Sequence, residues 1–134
     1  MTCHSQVWKE APVLEPVRQS FATGKPLEWK RVNQTPDFVF FNHSIHVQKG
    51  IGCSTCHGQV DHMPITWKEH SLYMRWCLDC HEKPQRFLRP PDQIFDMEWE
   101  PATNQLERGE ALLATYHIST NRLQQLRDCS MCHR

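Results

Sequence analysis

Apolar positions in this chain come in short bursts separated by proline-rich stretches, and few of the bursts hold a helical or strand period for long. Residues 5 to 37 carry Pro12, Pro16, Pro26 and Pro36 with little periodicity, which predicts an irregular connector with at most a short helix around Val13 to Ser20. The densest burst, Phe38-Val39-Phe40-Phe41, runs into Asn42-His43-Ser44-Ile45-His46. On a helical turn the two histidines point to roughly the same side, and Gly50 and Gly52 permit a sharp turn after it. Val60-Asp61-His62-Met63-Pro64 reads as a turn. Thr66-Trp67-Lys68-Glu69 has the pattern of a capping box, predicting a helix that runs into Cys77 and sets His70, Met74, Cys77 and His81 on one face. Residues 83 to 103, with Pro84, Pro90, Pro91 and Pro101, form a second irregular connector. Asn104-Gln105-Leu106-Glu107 starts another helix, weakened slightly by Gly109, with Leu106, Leu113 and His117 along one face. A last helix begins near Thr120 or Asn121, packs Leu123 and Leu126, and ends on Cys132-His133. The fold class that follows is mainly irregular with short α-helices and little or no β-sheet.

Composition changes this picture in one respect. A chain of 134 residues is expected to form one domain, 1–134, and is long enough to bury an ordinary core. Yet hydrophobic residues are 39% and mean hydropathy is −0.64, lean for a compact domain, while histidine is abundant at nine. Apolar volume has to come from elsewhere. Formal net charge is zero, so no basic field recruits nucleic acid, and no apolar run approaches the length of a membrane span. The first residues, Met1-Thr2-Cys3-His4, are unlike a secretory signal.

The chemistry lies in a five-residue pattern that occurs three times: Cys53-Ser54-Thr55-Cys56-His57, Cys77-Leu78-Asp79-Cys80-His81 and Cys129-Ser130-Met131-Cys132-His133. Two thiols bonded to a porphyrin edge and a histidine turned inward onto the iron need this spacing, the attachment signature of c-type haem. Haem would also supply the missing apolar volume. Two alternatives exist. The first two Cys pairs lie about as far apart as the halves of a zinc ribbon, but that leaves the third pair and all three histidines unexplained. Structural disulfides would pair cysteines too close in sequence to staple a fold and leave the seventh over. Cys3-His4 reads as the second half of a fourth motif whose first cysteine falls before Met1. Attachment of c-type haem normally takes place outside the cytoplasm, as the multihaem families imply. The expectation is therefore an N-terminally truncated fragment with three complete haem c sites and one truncated site.

His4, His57, His81 and His133 are the expected iron ligands on the attachment side. Each haem has a second axial position, and His43 and His46 are the foremost candidates for two of them. One would serve the haem on Cys53 and Cys56, the other a neighbour. His117 is a third candidate, able to meet a haem if the chain folds back near Thr120. His62, His70, Met63 and Met74 rank behind these; on the expected helix Met74 shares the face of His81 and cannot reach the far side of the same haem. Arg86, Arg89 and Lys83 fit either haem propionates or solvated surface. Trp8, Trp29 and Phe21 are expected to pack against porphyrin. With both axial positions filled, no iron is open to substrate, so the chain itself is expected not to be an enzyme.

Over nearly its whole length the sequence resembles the pentahaem cytochrome c subunit of bacterial alternative complex III, and more broadly the class III, cytochrome c3-like multihaem cytochromes. The likeness is carried by Met1 to Trp8, Ala11 to Pro16, Ala22-Thr23-Gly24-Lys25-Pro26-Leu27, Pro36 through His46, and Met74-Arg75-Trp76-Cys77-Leu78-Asp79-Cys80-His81. The resemblance implies a missing N-terminal membrane anchor and first haem segment, and a place on the periplasmic side of the cytoplasmic membrane. It also implies partners: an iron–sulfur, molybdopterin-oxidoreductase-like subunit delivering electrons from quinol, and a monohaem cytochrome c or terminal oxidase receiving them. The free periplasmic carrier of the cytochrome c3 type is the alternative. A multihaem reductase or a zinc-binding interaction module stands further off.

Overall fold

The proline-rich bursts fold as the pattern demands, into short helices joined by long irregular segments. The computed structural model describes residues 5–133, so Cys3 and His4 lie outside the described residues. The chain divides into two units, Met1–Arg31 and Val32–Arg134.

The first unit is built on one helix, α1, Glu15–Thr23, entered through a 3₁₀ turn at Pro12–Leu14. Pro16 sits in its first turn, where a missing N–H costs nothing, and Gly24 ends it in the left-handed conformation with φ 67°. The Arg18 guanidinium donates to the carbonyls of Lys9 and Ala11, tying the preceding loop to the helix. Phe21, Trp8 and Trp29 are exposed within this unit.

The second unit holds α2 (His43–Gln48), α3 (Cys53–His57), α4 (Met74–Glu82), α5 (Gln105–Thr115) and α6 (Thr120–Gln125). Among the described residues there is no strand, only isolated antiparallel bridges joining Val39 to His133 and Ile51 to Leu88. The buried hydrophobic residues are Ile51, Leu88, Ile94, Leu113 and Tyr116, with Val47, Phe87, Leu112, Ile118, Leu123 and the cysteines Cys56 and Cys80 packed around them. This core is thin, as the composition predicts, and two of its five members come from the proline-rich connector 83–103. The connector is irregular because its prolines allow only 3₁₀ turns, at Pro84–Arg86 and Pro91–Gln93, yet it runs through the centre of the unit.

Three helix expectations are corrected. The Thr66–Glu69 pattern starts no helix: Glu69 accepts from the Trp67 indole instead of reaching back to cap, and Leu72 has φ 54°, so α4 begins at Met74. His70 therefore lies off the face of Met74, Cys77 and His81 and stacks on Trp76. On α5 the buried face is Gln105, Gly109 and Leu113, while Leu106 is exposed. The Gln85 carbonyl lies where a Cβ on Gly109 would be, 1.9 Å away, so glycine is required for the close approach of α5 to the connector. Finally α6 stops at Gln125, and Cys129–Met131 form a separate 3₁₀ turn.

Candidate cofactor and metal centre

The two histidines at the start of α2 are placed by a local device. Asn42 caps the helix, its Oδ1 accepting from the Ser44 N–H at 2.9 Å and from the Ser44 hydroxyl at 2.7 Å. With the first turn fixed, His43 and His46 project together toward the attachment motifs on α3 and α4. The ring of His43 lies parallel to that of His57, with 6.1 Å between centroids and 10° between planes. The ring of His46 lies parallel to that of His81, at 6.2 Å and 21°. Metal–imidazole bonds of about 2 Å on each side of one ion put two end-on rings roughly 6 Å apart, so each pair has the spacing that would hold one metal ion between its rings. The structure thereby matches His43 with the Cys53/Cys56 motif and His46 with the Cys77/Cys80 motif.

In the second pair the ring orientation is also fixed from behind. His46 Nδ1 is 2.8 Å from the Asn42 carbonyl and His81 Nδ1 is 2.9 Å from the Leu126 carbonyl. A carbonyl can only accept, so each Nδ1 carries the proton and each Nε2 is left as the free donor atom for a metal. The rings of His43 and His57 have no such tether among the described residues. Burial lowers the pKa of His46 and of His57, which favours the neutral imidazole that a metal needs.

The cysteines suit thioether attachment. Cys53, Cys56, Cys77, Cys80, Cys129 and Cys132 are all free of disulfides. No three Cys, His, Asp or Glu side chains among the described residues converge as a metal-holding group, so the first four cysteines do not assemble the tetrahedral cluster of a zinc ribbon. Burial pushes the Cys56 thiol up to about 11 and the Cys80 thiol to about 12, so both are held as neutral thiols within the packed interior. The motifs are also neighbours. Cys56 lies close enough to Cys77, Cys80 to Cys56 and Cys77 to Cys132 that ionising one would oppose ionising the next, so the attachment edges form one connected series.

The third motif is joined to the same region through its backbone. Phe40 N–H donates to the Cys132 carbonyl at 2.7 Å, and Phe38 lies over His133 at 5.8 Å and 27°. No ring contact joins His117 to His133. His117 stands exposed just past α5 with φ 51°, its N–H bonded to Ala114 and the Ile118 N–H to Leu113. That is the Schellman arrangement, with histidine where glycine is usual. His62, Met63 and His70 line a cleft of about 350 Å³ with Trp67 and Glu69, while Met74 is exposed at the start of α4.

Arg89, expected either at a haem propionate or in solvent, takes a place the sequence did not announce. It is not solvated: it is 1% exposed, and its Nη2 donates to Ser54 Oγ at 2.7 Å and Thr55 Oγ1 at 2.9 Å, the two residues between Cys53 and Cys56. These contacts span 35 and 34 residues of chain, and no local signal announces them.

The sequence profile of the family described as cytochrome c7 and related cytochrome c matches residues 39–134, well over half of the chain. Among curated proteins the chain is similar to cytochrome c-552 of Porphyromonas gingivalis (strain ATCC BAA-308 / W83), 28% identical over 92 residues. The aligned part is 63% of this chain and 18% of that protein, so the chain spans less than a fifth of its relative's length.

Proposed function

The chain belongs to the family of cytochrome c7 and related cytochromes c, and on that premise we propose that it is the electron-relay subunit of a quinol-oxidising respiratory complex of the alternative complex III kind. Electron transfer by a multihaem cytochrome c is the function the family supports. Bound haem c supplies one-electron redox chemistry at its iron. The chain's own residues do the rest. Cys53, Cys56, Cys77, Cys80, Cys129 and Cys132 would hold the porphyrin edges, and Cys3 would serve a further site. His57, His81 and His133, and His4 with Cys3, ligate from the attachment side.

His43 and His46 close two of the opposing positions, and because they share one turn of α2 they tie two sites into a single rigid unit. His117 is the ligand we assign to an iron outside these two pairs. Its left-handed backbone is costly for a residue with a Cβ, and a metal bond on its free ring is a reason to keep it there. The single observation that carries the reading is the pair of parallel imidazole couples at 6.1 and 6.2 Å. Iron held between these paired imidazoles would have no face open to substrate, and substrate chemistry would belong to the partners.

The complex-bound role on the periplasmic side rests on the long strings Pro36 through His46 and Met74 through His81 that resemble the complex subunit. No helix among the described residues is long and apolar enough to cross a membrane. Two measurements test the proposal. Protein purified from a haem-attaching host should carry covalent haem and show low-spin, bis-imidazole signals; colourless protein, or high-spin signals from both paired sites, would sink the relay. Affinity capture of the chain from its native membrane should bring down an iron–sulfur subunit; recovery only as a free soluble carrier would overturn the complex role.

A further inference from the structure

Each of the three attachment motifs has an arginine at a residue between its two cysteines. Arg89 bonds Ser54 and Thr55, Arg75 pairs with Asp79 at 2.7 Å, and Arg122 Nη2 approaches Met131 Sδ at 3.9 Å. The three differ in surroundings. Arg75 is exposed and shared between Asp79 and Glu82, and Arg122 is exposed as well. Arg89 is buried and its direct contacts are neutral, namely the two hydroxyls, the Asp96 carbonyl at 2.7 Å and the face of Trp99 at 4.5 Å, with its Nε buried and unpartnered; the Asp96 and Glu100 carboxylates act on it through space without bonding it.

The fold is shaped to admit this guanidinium. A Cβ on Gly52, the residue before Cys53, would fall 2.2 Å from Arg89 Cζ, so glycine opens the space. The Arg89 backbone is held at both ends, its N–H by the Gly50 carbonyl at 2.9 Å and its carbonyl by the Tyr116 hydroxyl at 2.6 Å. Arginine stays protonated even when buried, and no carboxylate bonds it directly. A cation screened neither by water nor by a bonded anion acts strongly on charge that changes nearby. Reducing an iron removes one positive charge, so such a cation favours the reduced state. At the His46/His81 pair the bias runs the other way: both imidazoles donate Nδ1–H to main-chain carbonyls, which makes them more basic ligands and favours the oxidised state.

We propose that Arg89 is the positioning residue of the Cys53–His57 site. It grips the loop between the two cysteines, and its buried charge makes this the higher-potential of the two paired sites. The proposal rests on the haem reading above. One electron shared by the two sites then resides at the His43/His57 site: as that site is reduced the His46/His81 site is oxidised, one electron lost for one gained, and no proton need move.

The test is a potentiometric titration of the purified holoprotein, with haem counted per chain and the two paired sites assigned spectroscopically. Arg89→Gln should keep the haem count and weaken reduction of the His43/His57 site by on the order of tenfold, about 59 mV for one electron, with the His46/His81 site unmoved. Arg89→Lys, which keeps the charge, should restore most of that shift. Ser54→Asp sets a carboxylate against Arg89 without removing it and should lower the same site, so the proposal stays testable if Arg89→Gln fails to fold. Unchanged potentials in Ser54→Asp, or equal shifts at both sites in either variant, would overturn the assignment. A wild-type holoprotein with no haem defeats the underlying reading instead, before any variant is compared.

Discussion

The stretch from His43 to His81 and the stretch from His117 to His133 carry the same ingredients, attachment motifs and spare histidines, and the chain uses them differently. In the first, an Asn42-capped turn delivers two imidazoles at once, and each meets the histidine of a motif. In the second, His133 faces the ring of Phe38, and the nearest histidine in sequence stands in solvent on a strained turn. Attachment is written locally, in five residues. The opposing ligand is a tertiary product, and it is secured only where a short helix is itself locally specified.

The largest effects should come from breaking the paired region. His46→Ala is expected to convert one haem, the one on Cys77 and Cys80, from low-spin to high-spin or to water ligation. His43→Ala should do the same to the haem on Cys53 and Cys56, both with the haem count unchanged. Electron paramagnetic resonance of the two holoproteins checks this. If both substitutions disturb the same haem, the matching of ligands to motifs is wrong.

Next in size is a packing change that reaches the paired region from outside it. Gly109→Ala drives a methyl into the Gln85 carbonyl, a backbone atom that cannot step aside without moving the connector that carries Leu88 and Arg89. Overpacking of this kind costs typically 1–3 kcal/mol, and contact with main chain belongs at the upper end, so about 3 kcal/mol is expected in denaturant unfolding. A loss under about 0.5 kcal/mol would mean that α5 and the connector are not held this closely.

Gly109 also marks where the sequence stopped being informative. From sequence it is only a weak spot in a helix; in the fold it is the point of closest approach. The same holds for the connector 83–103, whose prolines predict irregular backbone correctly but say nothing of Leu88 and Ile94 being core. Short apolar bursts carry no period that tells inside from outside, and with so thin a core the deciding contacts come from distant residues, as at Arg89 and Ser54. The placement of His43 and His46 on one turn was legible because local spacing fixes it. Which of the two histidines serves which motif was not, since that depends on how α3 and α4 fold back onto α2. The Thr66–Glu69 pattern misled because Glu69 had a better partner in Trp67.

A smaller effect is expected in the second region. Replacing His117 by Ala should leave both paired sites untouched and remove one low-spin signal beyond them. His117→Gly should do the same while relieving the left-handed backbone, and so unfold at higher denaturant by about 1 kcal/mol than the Ala variant. Spectra identical to wild type in both variants would return His117 to an ordinary, strained cap.

The smallest expected effect lies at Arg75, which sharpens the contrast between a surface arginine and a buried one at equivalent places. Arg75 is 70% exposed, and its partners Asp79 and Glu82 are themselves 52% and 36% exposed. Exposed pairs contribute about 0.2–1 kcal/mol because water screens the attraction and two long side chains lose freedom in making it. Arg75→Ala should therefore lower stability by no more than about 0.5 kcal/mol. Raising the salt to about 1 M, where the screening length falls to about 3 Å, should erase even that difference. The variant also removes a charge whose two carboxylate partners already balance it, so the His46/His81 site should move far less than the His43/His57 site does in Arg89→Gln. A comparable shift in the two would mean that burial is not what separates the arginines, and the asymmetry between the paired sites would have to come from the tethered imidazoles alone.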